Sequence, residues 1–199
     1  MSRFPVPARY PYMREKGIAK GAGLGYNGKQ RNFAHGSEIR ALMERLELAV
    51  PTLFGLEGLA ADELRRLGLE DVRADNGRVY CAASPADIPR LNLNLRTGER
   101  VLLLLGQFPA RDFDALFEGV RALPWEEFIP RDGAFPVKGH CLSSALHAVP
   151  ACQSIVKKAV AARLGEKYGL ARLPETGALY QVQFSILRDT AALMLGTTG

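Results

Sequence analysis

Residues Asp71–Ala83, with the sequence DVRADNGRVYCAA, decide the fold of the first half of this chain because they form a β-hairpin. Two short runs that are typical of strands, Asp71–Asp75 and Arg78–Ala83, are separated by a tight connection. Asn76 and Gly77 tolerate positive φ, so they favour a hairpin turn at this position. The stretch therefore predicts two antiparallel strands side by side in one sheet.

On each side of this hairpin the sequence predicts one helix and one further strand. Apolar residues at helical spacing precede it and stop at Gly68, and a second helix is predicted after Ser84-Pro85. Outside the helices lie two further predicted strands, Glu47–Thr52 and the apolar run within Arg100–Gly106. The order βαββαβ predicts a ferredoxin-like unit over residues 46–108, with its helices on one face of a sheet.

The following segment, 109–197, predicts a second α/β unit, so the chain belongs to the α+β class. Trp125 is expected to fill the core beside the first helix, with ligand stacking as the alternative. The last two strands form a hairpin that we expect to be exposed near Leu193. The predicted elements are a helix over Phe113–Val120, a strand over Ala134–Cys141, a helix over Pro150–Lys167, a strand over Tyr180–Ile186 and its partner strand over Ala191–Leu195.

Charge is distributed unevenly along the chain, whose net charge is +5. Residues 1–42 carry eight Lys or Arg against two Glu, and they are rich in Gly and Pro. This composition buries little apolar surface and predicts a flexible basic tail. Residues 43–130 are net acidic, and residues 131–175 are net basic again. Such segregation indicates a polyanionic partner for the basic segments.

Several classes of protein and site are disfavoured by the sequence. It contains no run of about 18 apolar residues, which argues against a membrane span. Cys81, Cys141 and Cys152 are scattered, so we expect neither a disulfide framework nor a zinc site. The segment Gly21–Gly25 resembles a nucleotide-binding loop, but no strand is predicted before it. Because no convergent set of catalytic groups is found, we predict no catalytic residue and no metal ligand.

The basic residues of the second unit are the strongest functional candidates. They lie on the long helix and on its flanking segments, where they can form one cationic surface. Lys and Arg contacts to phosphates release counterions and give sequence-independent affinity for nucleic acid. An ordinary solvated helix face is the alternative interpretation. The candidate RNA-binding residues are Lys138, His147, Lys157, Lys158, Arg163, Lys167 and Arg172.

Three stretches carry a resemblance to a known family. They are Leu48–Glu57, Asn92–Val101 and Leu146–Val160, the last of which contains Val149-Pro150-Ala151-Cys152-Gln153. From Leu46 onward the chain resembles the THUMP-domain ribosomal-RNA guanine-N2 methyltransferases. The likeness covers the N-terminal ferredoxin-like portion and the THUMP portion of that family.

The resemblance implies a function that is divided between domains. In such proteins the THUMP domain holds structured RNA, so Lys138, Lys157 and Lys158 are expected to contact ribosomal RNA in a cytoplasmic protein. A separate catalytic domain would transfer the methyl group from S-adenosylmethionine, and we expect that domain to lie beyond Gly199. The chain itself is then expected to bind no cofactor and to be inactive alone.

Two alternatives belong to other functional classes. The first is a protein-interaction scaffold that docks a separately encoded methyltransferase subunit. This hypothesis is motivated by the expected exposed hairpin near Leu193 and by the end of the sequence at Gly199. The second is an independent enzyme, which depends only on the loop at Gly21–Gly25. Binding of structured RNA by the isolated chain would favour the RNA-binding module over both.

Overall fold

The computed structural model describes residues 45–198, and the predicted tail at 1–42 lies outside them. The described part contains four α-helices, one short 3₁₀ turn at Trp125–Glu127 and seven strands. The helices are α1 (Glu57–Arg66), α2 (Asp87–Asn94), α3 (Phe113–Arg121) and α4 (Val149–Tyr168). The strands are β1 (Leu46–Pro51), β2 (Glu70–Asp75), β3 (Arg78–Ala83), β4 (Leu102–Pro109), β5 (Val137–Leu142), β6 (Val182–Leu187) and β7 (Thr190–Gly196).

All seven strands form a single sheet in the order β2-β3-β1-β4-β7-β6-β5. The first four have the predicted βαββαβ connectivity, and β1 pairs antiparallel with both β3 and β4. Strand β4 also pairs antiparallel with β7, from Leu102↔Gly196 to Pro109↔Thr190. At the far edge β5 and β6 are parallel, as expected for strands joined by helix α4. The predicted α+β class is confirmed, and the two predicted units share one continuous sheet.

The helices cover one face of this sheet and build the main core. Each helix buries a leucine at this interface, namely Leu64, Leu91, Leu116 and Leu164. Helix α4 turns one apolar stripe to the sheet, in which Ile155 is only half-buried. The fully buried residues of this stripe are Cys152, Val156, Ala159, Val160 and Leu164. The helix ends at Gly169, whose φ of 64° is the left-handed conformation that glycine adopts most readily.

The opposite face of the sheet is concave. The side chain of Arg78 on β3 donates to Ser185 Oγ on β6 at 2.8 Å. Strands β1, β4 and β7 lie between β3 and β6, so in a flat sheet β3 and β6 would be roughly 19 Å apart. The arginine can span it only because the sheet curves strongly toward this side. The buried residues that line this concave face are Ala49, Tyr80, Leu102, Leu104, Ala192 and Met194.

Two expectations about apolar residues have clear outcomes. Trp125 is fully buried, and its Nε1 donates to Val120 O at 2.7 Å, so its predicted place in the core is confirmed. The expectation of an exposed hairpin near Leu193 is wrong. Strand β7 lies between β4 and β6, and Leu193 is fully buried beneath the helices.

Candidate functional site

Helix α4 and the segment after it display most of the predicted cationic residues. The apolar stripe of the helix packs on the sheet, so Lys157, Lys158, Arg163 and Lys167 lie on its flanks and outer side. Arg172 follows in the exposed segment beyond the helix. The structure thus brings five of the seven candidates onto one helix and its continuation.

Lys157 is engaged within the protein. Its Nζ lies 2.5 Å from Glu175 Oε2 and donates to Phe135 O at 3.1 Å. The ammonium also lies 3.6 Å from the centroid of the Phe135 ring, a cation–π contact. This lysine therefore ties helix α4 to the start of β5 and to the segment that carries Glu175, and much of its charge is neutralised.

Arg163 and Lys167 share one carboxylate partner, Glu126. Arg163 donates from Nε to Oε2 at 2.9 Å and from Nη2 to Oε1 at 2.6 Å, while Lys167 Nζ lies 3.7 Å from Oε1. Burial favours the protonated form of Glu126, but the hydrogen bonds from Arg163 and the backbone, together with the charges of Arg163 and Lys167, lower the pKa of this carboxyl. Glu126 is therefore ionised at neutral pH and offsets positive charge on α4.

Lys158 and Arg172 are the free cations of this surface. Both side chains are exposed, and neither has a carboxylate within ion-pair distance in the described part of the chain. Lys158 Nζ lies 6.0 Å from the centroid of the Phe117 ring on α3. These two residues offer charge to a ligand without first breaking an ion pair.

Lys138 and His147 lie apart from that surface. Cys141 on β5 faces α4, with its Sγ 3.7 Å from Cys152 Sγ, so alternation along the strand turns Lys138 toward the concave face. His147 is exposed before the helix begins, and its Nδ1 lies 3.0 Å from Ala145 O. The single surface that the sequence suggested is thus divided among three places.

The concave face holds Arg78 and Ser185, which sequence reasoning did not single out. Arg78 is buried, contacts Ser185, and lies 3.5 Å from His140 Nε2. Partial burial and the charge of Arg78 both lower the pKa of His140. No local sequence pattern marks this group, because Arg78 and Ser185 are 107 positions apart.

The described residues give little support for a metal site, a membrane span or a reactive cysteine. Within 45–198 no group of three His, Cys, Asp or Glu side chains is placed to hold a metal ion. No helix in this range is both long and apolar enough to cross a membrane. Cys141 and Cys152 are closer than their spacing suggested, but burial and the neighbouring thiol raise the pKa of Cys141 to about 12. That thiol is therefore protonated and a weak nucleophile.

Two domain families match this chain. Residues 47–102 match the RlmL ferredoxin-like domain, and residues 110–195 match the THUMP domain. The two matches adjoin in the order that the resemblance implied.

Similar proteins are longer than this chain. It is 41% identical over 159 residues to "Putative RNA methyltransferase YpsC" of Bacillus subtilis, covering 79% of this chain and 41% of that protein. A ribosomal RNA large subunit methyltransferase K/L of Pseudomonas putida is 34% identical over 159 residues, covering 79% and 22%. The crystal structure of a predicted N6-adenine-specific DNA methylase from Listeria monocytogenes aligns with a TM-score of 0.75 and 43% identity, covering 81% and 42%. The chain thus spans less than half the length of these relatives.

Proposed function

Because this chain carries an RlmL ferredoxin-like domain followed by a THUMP domain, we propose that it is the RNA-binding part of an RNA methyltransferase. The observation that carries the proposal is this domain pair, in the same order along the chain as the resemblance implied. Relatives that are named RNA methyltransferases support it. Helix α4 packs on the sheet and carries cations on its flanks and outer side.

Electrostatics support a phosphate-rich ligand. Lys158 and Arg172 are exposed and free of carboxylate partners among residues 45–198, and Lys138 offers a third such charge on β5. Each phosphate that a lysine or arginine neutralises releases counterions, so binding is favourable and salt-sensitive. These contacts position a nucleic acid without reading its sequence.

We further propose structured ribosomal RNA as the substrate and the exocyclic nitrogen of guanine as the methylated atom. The ribosomal RNA methyltransferases among the relatives support the first, and the second follows the resemblance of Asn92–Val101 and Leu146–Val160. The methyl donor would be S-adenosylmethionine, held by a catalytic domain, either part of one protein or a separate subunit. The binding part raises the effective concentration of the target nucleotide at that domain.

The scaffold alternative loses one of its two motives. It depended in part on an exposed hairpin near Leu193, whereas that residue is fully buried in a central strand. We therefore favour RNA binding as the function of this chain.

The test is a titration of the full chain with a fluorescently labelled ribosomal RNA hairpin over a range of salt concentrations. Within residues 45–198, the three candidate cations without an ion pair are expected to contribute near 3 to the magnitude of the slope of log K against log salt, at about 0.9 per phosphate contact. All six candidate Lys and Arg residues would contribute above about 5. Absence of binding at low salt would refute the proposal.

A matched pair of lysines on α4 provides the control. Lys158→Gln is expected to reduce the slope by about 0.9, since its charge is free to meet a phosphate. Lys157→Gln is expected to reduce it less, because Glu175 already neutralises that ammonium at 2.5 Å. Equal reductions would show that the ion pair opens when RNA binds.

A further inference from the structure

Arg78 is a buried cation without a matching acid. It is only 8% exposed, and its guanidinium contacts Ser185 Oγ at 2.8 Å, Met194 Sδ at 3.7 Å and His140 Nε2 at 3.5 Å. No carboxylate of residues 45–198 lies within ion-pair distance of it. Since burying an unpaired charge is costly, such a group favours the approach of an anion.

Exposed donors stand on the edge strand beside this buried charge. Lys138 and His140 alternate along β5 on the concave side, and both are exposed. Their register partners on β6 are Gln183 and Ser185, which face the same way. The edge of the concave face thus combines two cations, Arg78 and Lys138, with a histidine.

We propose that Arg78, Lys138 and His140 form a second RNA contact, which holds one backbone phosphate on the side of the sheet opposite helix α4. This contact rests on the proposed RNA-binding function and extends it to the concave side. The phosphate supplies the negative charge that Arg78 lacks, while Lys138 and His140 reach it from the exposed edge.

RNA binding at this second contact is coupled to protonation of His140. In the free protein Arg78 from β3 faces His140, and Lys138 lies two positions before it on the same side of β5. Tyr80 on β3 hydrogen-bonds Arg78, and burial raises the pKa of its hydroxyl, so it adds no charge. Burial and the charge of Arg78 lower the pKa of His140, so the imidazole is neutral near pH 7. A phosphate at this position favours the imidazolium, which then donates to a phosphate oxygen. His140 therefore takes up a proton from the buffer when RNA binds. Because the bound state has the higher pKa, the gain in affinity is complete at low pH and is lost as pH rises through that bound-state value.

The experiment measures the affinity of the full chain for an RNA hairpin between about pH 8 and pH 6. Wild type is expected to bind about three- to tenfold more tightly at the lower pH, the gain expected when RNA raises the pKa of one linked group by about one unit. His140→Gln keeps a polar side chain but does not titrate, so it is expected to lose this gain. Leu142→Gln is the matched control, since it places the same side chain at an exposed position two residues further along β5, and it is expected to keep the gain.

Further measurements separate the possible failures. Lys138→Gln is expected to lower the salt slope by about 0.9 without removing the pH dependence. If His140→Gln retains the full pH dependence while RNA still binds, the second contact is refuted and the proposed function survives. If wild type binds no RNA at any pH, the proposed function itself fails. NMR of the His140 ring adds a check on the ligand: inorganic phosphate alone raising its pKa as much as RNA does would overturn the assignment to RNA.

Discussion

Replacing Glu126 by Gln is expected to weaken the fold and strengthen RNA binding at the same time. Glu126 accepts two hydrogen bonds from Arg163, and the two side chains are 21% and 23% exposed. A hydrogen bond to a charged group contributes about 1.5–3 kcal/mol, and the amide keeps one acceptor. We therefore expect the free energy of unfolding to fall by about 2 kcal/mol. Since Arg163 and Lys167 lose their shared counter-charge, the salt slope for RNA is expected to rise by up to about 2.

Urea unfolding and RNA titration of the same preparations measure the two effects. Glu118→Gln is the control: it removes the same formal charge, but Glu118 is 60% exposed and lies 4.0 Å from its partner Arg121. Its expected change in stability is below about 0.5 kcal/mol. A Glu126→Gln protein that is as stable as wild type, or that binds RNA with an unchanged slope, contradicts this account.

The pH dependence of that difference has a definite sign. The pKa of Glu126 is lowered in the folded protein from its ordinary value of 4.5, so the ion pair stabilises fully above that value. This stabilisation is lost as pH falls through the folded pKa. The stability gap between wild type and Glu126→Gln is therefore expected to close in acid, and a gap that persists there would point to packing rather than charge.

Two further predictions concern packing and thiol chemistry. Gly139→Ala is expected to destabilise by about 3 kcal/mol in thermal unfolding, because its Cβ would lie 2.4 Å from Phe184. Gly58→Ala on α1, where a Cβ meets nothing within 4 Å, is expected to stabilise by about 0.5–1 kcal/mol instead. Burial raises the pKa of Cys81 to about 12, as for Cys141, so both thiols should resist iodoacetamide near pH 8 until urea unfolds the chain. Fast alkylation of the folded protein would contradict this.

Local patterns were enough to predict the elements of the fold. The Asn76-Gly77 turn lies between β2 and β3 as predicted, and the apolar stripe of α4 faces the core. The strand predicted over Tyr180–Ile186 and its partner strand are present as β6 and β7. These features depend on neighbouring residues, whose spacing the sequence displays directly.

The charge arrangement depended on contacts between distant parts of the chain. Glu126 contacts Arg163 from 37 positions away, and no local pattern indicates this pair. The sequence groups Lys138 with the α4 lysines, although alternation in β5 turns it to the other face. That orientation follows from Cys141, three positions along the same strand, which faces the helix in the structure.

The cations of α4 differ in whether an ion pair within the protein already holds them. Lys157 and Arg163 fasten the helix to Glu175 and Glu126, which lie on segments outside the sheet, so their charge is already used to hold the fold together. A phosphate that approached them would have to replace a partner at 2.5 or 2.6 Å before gaining anything. A phosphate can approach Lys158 without replacing an ion-pair partner, and the same holds for Lys138 on the other side of β5. Affinity for a polyanion therefore depends on the cations that form no ion pair within the protein, and these are fewer than the candidate cations in the sequence.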